Sequence, residues 1–287
     1  MSTLSVPTRV PRNDEVDVFA VSHTGKVRKE NQDRFLLATI DKRVDIVASN
    51  LEAAERLPQG DQRLAYLAMV ADGVGGGVGG ATASAATLET IMQYVDDSLM
   101  VFYSAKADEA GFTELLQAAA MRAHDAVLQR RADAGVTGTM ATTLTLYFSI
   151  WPTYYLLQLG DSRYYLWRDG KLRQVTRDQT MAQDLVDEGV LTRAAAAKTP
   201  MASVLSSAIG GDTTTPVVTR LRSDWLNVHL LCSDGLTRHV SDERIAEVLG
   251  SMTSAKQAGE QLLQDALDAG GSDNITLILG HAVPKDP

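Results

Sequence analysis

Two segments in the first half of the chain carry apolar residues at the spacing of an α-helix. In the first segment the apolar positions are Ala85, Leu88, Ile91, Met92, Val95 and Leu99. In the second they are Leu115, Leu116, Ala119, Ala123 and Val127. This period predicts two helices that each bury one face in a core. Thr113 precedes the second set and threonine is a common N-cap, so this helix is expected to begin there.

From residue 139 onward the apolar residues recur at every second position. Leu144, Leu146, Phe148 and Ile150 alternate with threonine, tyrosine and serine, which predicts a half-buried strand. Further strands are predicted on both sides of a polar turn in residues 17–40, and in residues 153–176, 225–232 and 274–283. The Asp169-Gly170 pair lies between two of them and predicts a hairpin turn.

The remaining segments complete the expected organisation. Helices are predicted near 242–250 and 254–268, and residues 178–215 are interpreted as a mobile helical insertion. Polar residues 49–63 are predicted to form a loop between a strand that ends near Val47 and one that begins near Leu64. Residues 1–14 are expected to be a flexible tail and residues 15–284 a single domain. Hairpin-linked strands with helices grouped between them predict an α+β layered sandwich of largely antiparallel sheets.

Composition and charge narrow the classes of partner. The 287 residues are 45% apolar and 22% charged, with a formal net charge of −9. Nucleic acid and anionic membranes are therefore not expected as partners, because both require a basic surface. Cys232 is the only cysteine, which excludes an internal disulfide. No signal peptide or spanning segment is recognisable, so a cytoplasmic protein is expected.

A glycine-rich stretch, "LAMVADGVGGGVGGATAS", follows a predicted strand at residues 67–84. Gly75, Gly77 and Gly80 match the G-x-G-x-x-G pattern of dinucleotide-binding proteins. However, Asp96 and Asp97, at the distance expected of the ribose-binding acid, lie within a predicted helix, and no Gly-Lys-Ser/Thr follows. A nucleotide-binding oxidoreductase is therefore the least favoured hypothesis for this chain. A tight turn without any ligand, or a turn that lets Asp72 bind a metal, are the other interpretations.

Five aspartates lie at the ends of predicted strands, each beside a small or polar residue. They are Asp33, Asp72, Asp161, Asp234 and Asp273. Each alone is readily explained as a turn former. If sheet pairing gathers them at one edge, however, their charges repel unless protons or cations intervene. Magnesium and manganese accept such oxygen ligands, whereas the scattered histidines fit no zinc site. Arg28 is interpreted either as a solvated surface charge or as an arginine whose planar guanidinium binds a phosphate.

Six motifs in these regions together resemble the metal-dependent Ser/Thr protein phosphatases, the PPM or type 2C family, in its bacterial form. They are "GKVRKENQD", "MVADGVGG", "GTMATTLTL", "LGDSRYYLWRDGKLRQVTRDQT", "LLCSDGL" and "GGSDNITLIL", and they extend from about residue 18 to 282. The resemblance implies a four-layer α-β-β-α sandwich of two mainly antiparallel sheets flanked by helices. It also implies that residues 178–209 form the family's variable flap beside the active site.

The same resemblance assigns roles to the strand-end acids. Asp72 is expected to bridge two Mn²⁺ or Mg²⁺ ions, with the Gly73 carbonyl on one of them. Asp234 and Asp273 are expected to complete the other metal site. Asp161 resembles a ligand of a third, weaker metal, which it would share with Asp234.

The resemblance also assigns roles to three further residues. Asp33 corresponds to the position that orients metal-bound water, and Arg28 corresponds to the phosphate-binding arginine. Asn274 matches the asparagine of the family's Asp-Asn pair and is expected to shape its loop.

This chain departs from the family pattern at two positions. Gln32 stands where many relatives carry glutamate, so affinity for one metal is expected to be weaker. Gly77 stands where bacterial relatives often carry histidine, so a histidine general acid cannot come from there. The loss of a general acid would slow catalysis without abolishing it.

The leading hypothesis is a Mn²⁺- or Mg²⁺-dependent phosphatase that hydrolyses phosphoserine and phosphothreonine in proteins and opposes a partner Ser/Thr kinase. The alternative is a pseudo-phosphatase that binds phosphoproteins without turnover. The intact set of Asp33, Asp72, Asp234 and Asp273 argues against that alternative, since a pure binding module has no need for cation ligands.

Overall fold

A computed structural model describes residues 9–44, 60–76, 79–103 and 109–285. The strands are β1 (Val16–His23), β2 (Arg34–Val44), β3 (Gly60–Ala71), β4 (Gly73–Val74), β5 (Ala141–Thr142), β6 (Leu144–Ile150), β7 (Thr153–Leu159), β8 (Arg163–Arg168), β9 (Lys171–Gln174), β10 (Val217–Arg222), β11 (Val228–Cys232) and β12 (Ile275–Ala282). The helices are α1 (Gly79–Tyr103), α2 (Glu109–Asp133), α3 (Met181–Asp187), α4 (Arg193–Ala196), α5 (Asp234–Thr237), α6 (Asp242–Gly250) and α7 (Ala255–Asp268), with 3-10 turns at Asn13–Glu15 and Pro200–Ser203.

The long strands form two five-stranded sheets. The first sheet has the order β1-β12-β11-β8-β9 and the second has the order β10-β7-β6-β3-β2. Every strand pair described in them is antiparallel. A dinucleotide-binding fold requires parallel strands joined by crossover helices, so the oxidoreductase hypothesis is wrong.

Three apolar clusters separate four layers. Helices α1 and α2 pack on the outer face of the second sheet, and α6 and α7 pack on the outer face of the first. The third cluster lies between the two sheets and includes Ala68, Val70, Tyr154, Leu156, Tyr164, Leu231 and Ile278. This arrangement confirms the predicted α+β four-layer sandwich. None of the helices in the described ranges is both long and apolar enough to cross a membrane.

The prediction that β6 is half-buried is wrong. Leu144, Leu146 and Phe148 pack beneath α1 and α2, as the alternation indicates. The opposite face is also buried, since Thr145 is fully enclosed and Tyr147 packs in the cluster between the sheets. A strand in the centre of a four-layer sandwich has no solvent face, so its polar positions pack against the other sheet instead of water.

The second long helix begins earlier than the Thr113 cap predicts. Helix α2 starts at Glu109, so Thr113 lies inside it. The additional residues place Phe112 in the core, where its ring stacks on Tyr155 with centroids 4.4 Å apart. Burial of this aromatic ring offsets the poor helix propensity of the neighbouring glycine, Gly111.

Other boundaries follow the predictions more closely. Strand β3 begins at Gly60 instead of near Leu64, because residues 60–63 continue the pairing with β2 beyond the apolar part of the strand. The predicted strand end near Val47 lies outside the described residues. Asp169 and Gly170 have φ angles of 51° and 75°, which confirms the hairpin turn between β8 and β9. Residues 178–215 contain α3 and α4, so the insertion is helical as predicted.

The antiparallel topology gathers the ends of several strands at one edge of the sandwich. Strands β3 and β7 flank β6 and run in the same direction, so Asp72 and Asp161, which follow them, emerge at the same edge. Asp33 precedes β2, which is antiparallel to β3, and therefore joins them. In the first sheet, Asp234 follows β11 and Asp273 precedes its antiparallel neighbour β12.

Candidate metal centre

Asp33 lies at the bottom of the site and is almost completely buried. Its Oδ2 accepts a 2.7 Å hydrogen bond from the Ser233 hydroxyl, and its backbone N–H donates to Asn31 Oδ1. Its other carboxylate oxygen, Oδ1, is buried without a hydrogen-bond partner in the described part of the chain. Burial raises the pKa of Asp33 to about 6, and the nearby charge of Asp234 acts in the same direction.

Asp72 is held at the end of β3 by contacts to its backbone. Its N–H donates to Thr143 Oγ1 at 3.0 Å, and its carbonyl accepts from the Thr143 N–H and from the Thr142 hydroxyl. Burial raises the pKa of the Asp72 carboxyl well above its ordinary value. The charges of Asp33, Asp234, Asp161 and Asp273 raise it further, so this carboxyl stands within electrostatic reach of all four.

Asp161 follows β7 in a tight turn and is only 9% exposed. Burial, followed by the negative charges of Asp234 and Asp178, raises its pKa to about 8. A carboxylate this deep in the protein is costly to ionise unless a cation lies beside it.

Two arginines contact the remaining two acids. Arg28 pairs with both oxygens of Asp273, with Nε to Oδ1 at 2.7 Å and an Nη to Oδ2 at 2.8 Å. Arg238 donates to Asp234 Oδ2 through Nε at 2.8 Å and through a second, shorter contact from Nη2. The second oxygen of Asp234 is buried and has no hydrogen-bond partner among the described residues.

The glycines beside Asp72 permit a close approach of three backbone segments. A Cβ on Gly73 would overlap the Gly80 carbonyl oxygen and lie 2.7 Å from the Gln32 carbonyl oxygen. A Cβ on Gly75, where φ is 154°, would overlap the Thr139 carbonyl oxygen. These glycines are therefore required by packing around the turn. Gly77, the remaining position of the pattern, lies outside the described residues.

Asn274 connects the two loops that carry Asp33 and Asp273. Its side-chain carbonyl accepts from the Gln32 N–H at 2.8 Å, and its amide donates to the carbonyls of Thr24 and Glu30. The Gln32 carbonyl in turn accepts a 2.6 Å hydrogen bond from the Ser84 hydroxyl on α1. The loop that contains Arg28 is thus fixed to both sheets and to the first helix.

These groups surround an open cleft of about 640 Å³. The structure brings Arg28, Asp72, Gly73, Asp161, Asp234 and Asp273 together along its wall, whereas Asp33 lies beneath it. Gln32 also lines the cleft, as do Ser203 and Leu205 from the helical insertion. No histidine of the described residues lies in this lining.

The donor set fits hard divalent cations. Within the described residues, no three acidic, histidine or cysteine side chains stand close enough to ligate one ion together, since Asp234 and Asp273 turn towards arginines. Nevertheless, the cleft concentrates carboxylates whose pKa values are raised, and two of their oxygens are buried without partners. Oxygen-only ligands of this kind suit Mg²⁺ or Mn²⁺.

Comparison with known families identifies the fold. Residues 56–270 match the family model described as Protein phosphatase 2C, which amounts to most of the chain. The chain belongs to this family.

Two curated members of the phosphatase 2C family illustrate the relationship. The serine/threonine protein phosphatase PstP of Mycobacterium tuberculosis is 35% identical over 224 residues, covering 77% of this chain and 41% of PstP. This chain therefore spans less than half the length of that relative. The serine/threonine phosphatase stp of Listeria monocytogenes is 30% identical over 217 residues, covering 74% of this chain and 83% of that protein.

A solved structure of the family bears on the cofactor. The crystal structure of the catalytic domain of PstP in complex with two manganese ions has a TM-score of 0.72 and 29% identity. The similarity covers 94% of this chain and 99% of that domain. That structure shows that a member of the phosphatase 2C family holds two manganese ions.

Two residues of this phosphatase 2C site, Ser233 and Arg238, are not among those predicted from the sequence. Ser233 precedes Asp234 and binds Asp33, which lies 200 positions away. Arg238 follows Asp234 by four residues, a spacing that places the two side chains on the same face of a helical turn. That spacing is visible in the sequence. The partner of Ser233 is not, because it depends on how the two sheets pack.

Proposed function

We propose that this chain is a Mn²⁺- or Mg²⁺-dependent phosphatase that hydrolyses phosphoserine and phosphothreonine monoesters in proteins. The observation that carries the proposal is the burial of Asp33 and Asp161 and the partial burial of Asp72 beside one cleft, with raised pKa values and an unpartnered oxygen on Asp33. A phosphatase 2C domain that had lost its metal would not need this costly concentration of charge.

The proposed ligands follow the positions of the acids. Asp72 and the Gly73 carbonyl, together with Asp234 and Asp273, would hold two cations, and Asp161 with Asp234 would hold a third. When bound, such cations lower the pKa of a water molecule and neutralise charge on phosphoryl oxygens. Asp33 would orient the attacking water, since Ser233 holds its Oδ2 while its Oδ1 has no hydrogen-bond partner among the described residues.

Arg28 is proposed to bind the substrate phosphate. Its side chain is about half exposed at the wall of the cleft, and its planar guanidinium already engages both oxygens of Asp273. A phosphoryl group presents oxygens in the same fork geometry as a carboxylate. Arg28 therefore has the geometry to exchange a carboxylate for a phosphate, which the point charge of a lysine would bind less specifically.

The domain limits are proposed on the same basis. Residues 15–284 would form one catalytic domain, with residues 1–14 as a tail and residues 178–209 as a flap. Ser203 and Leu205 of this segment line the cleft, so a flap there would contact bound phosphoprotein. The substrates would be products of a Ser/Thr protein kinase.

The test is hydrolysis of a phosphothreonine peptide by purified protein after removal of metal with EDTA. We expect turnover only when Mn²⁺ or Mg²⁺ is returned, with Asp72→Asn and Asp234→Asn each reducing the rate at least about 100-fold. Titration of each metal decides which one the site binds more tightly.

Glu15→Gln provides the control, because Glu15 is a buried acid beside the end of β1 that lies away from the cleft. This variant should keep most of the activity. Turnover in EDTA would contradict the proposal. Metal binding without any hydrolysis of several phosphopeptides would instead favour the pseudo-phosphatase.

A further inference from the structure

Arg238 is a cation built into the acidic cleft, and the proposed catalytic roles do not use it. It directly follows α5 (Asp234–Thr237), one helical turn beyond Asp234, so its guanidinium reaches back to that carboxylate. Nε donates to Asp234 Oδ2 at 2.8 Å and Nη2 contacts the same oxygen. A third nitrogen, Nη1, lies 3.6 Å from Asp273 Oδ2.

These contacts involve two of the proposed metal ligands. Asp234 is only 13% exposed, and one of its oxygens is held by Arg238 while the other is buried without a partner. The charges of Asp234, Asp273 and Asp161 all act on the Arg238 guanidinium. The arginine thus neutralises the acids that a divalent cation would neutralise, and it approaches from the cleft, whose wall it forms.

A cation and a guanidinium cannot both occupy the same face of Asp234 Oδ2. Coordination by a small ion requires the oxygen to lie at about 2.0–2.6 Å from the metal, and two N–H groups of Arg238 already fill the approach to that atom. The Arg238 side chain can move away from Asp234 without disruption of the core. It is 42% exposed, and the groove beside the helical insertion has room for it.

We propose that Arg238 competes with the divalent cation for Asp234 and thereby weakens metal binding at this site. The inference rests on the proposed metal-dependent function. It makes Arg238 a positioning residue that keeps Asp234 neutralised and correctly placed when metal is scarce, at the expense of affinity when metal is plentiful.

The experiment measures Mn²⁺ binding to metal-free protein by isothermal titration calorimetry, together with the thermal midpoint before and after saturation. Arg238→Gln should bind Mn²⁺ roughly fivefold more tightly, the upper range for an ion pair with a partly exposed arginine. Arg238→Lys keeps the charge but loses the planar guanidinium. Its Mn²⁺ affinity should therefore lie between those of wild type and Arg238→Gln. Without metal, Arg238→Gln should melt below wild type, and Mn²⁺ should raise its midpoint by more.

Arg244→Gln is the matched control. Arg244 is 44% exposed and pairs with Glu247 on α6 and with Asp265 on α7. Its substitution removes the same charge from a similar environment outside the cleft. Its Mn²⁺ affinity should stay within twofold of wild type.

The two proposals fail in different ways. If Arg238→Gln binds Mn²⁺ less than twofold more tightly than the control, or more weakly, the competition is refuted even if wild type is an active metal-dependent phosphatase. If Arg238→Gln has a lower melting midpoint but an unchanged affinity for Mn²⁺, the competition is also refuted. Arg238 then has a purely structural role. If neither wild type nor Arg238→Gln binds Mn²⁺, the proposed function fails and the competition fails with it.

Discussion

The Ser233 hydroxyl donates a 2.7 Å hydrogen bond to Asp33 Oδ2, which joins residues 200 positions apart across the edge of the two sheets. The same hydroxyl accepts a 3.0 Å hydrogen bond from the Thr276 N–H. Ser233 therefore connects the start of β2, the end of β11 and the start of β12 through one side chain. It also leaves Oδ1 as the Asp33 oxygen without a hydrogen-bond partner among the described residues.

Removal of this hydroxyl should loosen the bottom of the site. Ser233→Ala leaves both Asp33 Oδ2 and the Thr276 N–H without a buried partner, so the free energy of unfolding should fall by about 1–3 kcal/mol. Urea denaturation in EDTA measures the effect, with Ser251→Ala at the exposed end of α6 as the control. A loss no greater than that of the control would show that the hydrogen bond contributes little.

The turn after β3 should tolerate substitution at one glycine and not at its near neighbour. Gly73→Ala places a methyl group against the Gly80 and Gln32 carbonyls, all of them backbone atoms. It should lower the free energy of unfolding by about 2–3 kcal/mol and weaken Mn²⁺ binding, because Asp72 must move. Gly76→Ala is the control, since nothing lies within 4 Å of its added Cβ. Equal stability of the two variants in urea would refute this account of the glycines.

The stability of the metal-free protein should fall as pH rises above neutral. Asp161 has a pKa of about 8 in the folded protein against an ordinary value of 3.8, so between these values the folded state holds a proton that the unfolded state has released. The free energy of unfolding must therefore decrease with rising pH in this window.

Measurement between pH 6.5 and pH 8 stays above the pKa of about 6 at Asp33. Asp161→Asn should flatten the decline by on the order of 1–2 kcal/mol, at about 1.4 kcal/mol for each unit of pKa. Asp125→Asn, at an exposed aspartate of α2, should leave the slope unchanged. A wild-type protein whose stability in EDTA rises across this range would contradict the raised pKa.

His229 should produce the opposite pH dependence in acid. Its imidazole is partly buried, with Nδ1 2.6 Å from the Tyr164 hydroxyl, and removal from water lowers its pKa to about 3. Below pH 6.5 the imidazole of His229 binds a proton in the unfolded state but not in the folded state. The free energy of unfolding therefore decreases as pH falls.

Comparison of pH 7 with pH 5 gives the magnitude. His229→Gln should reduce the acid-induced loss by about 2 kcal/mol relative to wild type. His23→Gln, at an exposed histidine, serves as the control in the same urea experiments. An unchanged acid-induced loss in His229→Gln would mean that the imidazole accepts a proton within the folded protein.

The sequence by itself determined most of the elements and the chemistry of the site. Apolar period is a local property, so α1, α6, α7 and most of the long strands were predictable from spacing, as was the Asp169-Gly170 hairpin. Acids beside small residues at strand ends were also visible as a group. Whether sheet pairing gathers these ends at one edge stayed a condition at that level, and the strand order of the two sheets decided it.

Only the tertiary structure decided which faces are buried and which side chains are paired. The polar face of β6 is enclosed because the other sheet packs on it, and Phe112, which precedes the predicted Thr113 cap, lies within α2 and packs on Tyr155 in the core. The hydrogen bond from Ser233 to Asp33 depends on the same packing. Such contacts form between segments distant in the chain, and the free energy of each depends on neighbours that no local pattern specifies.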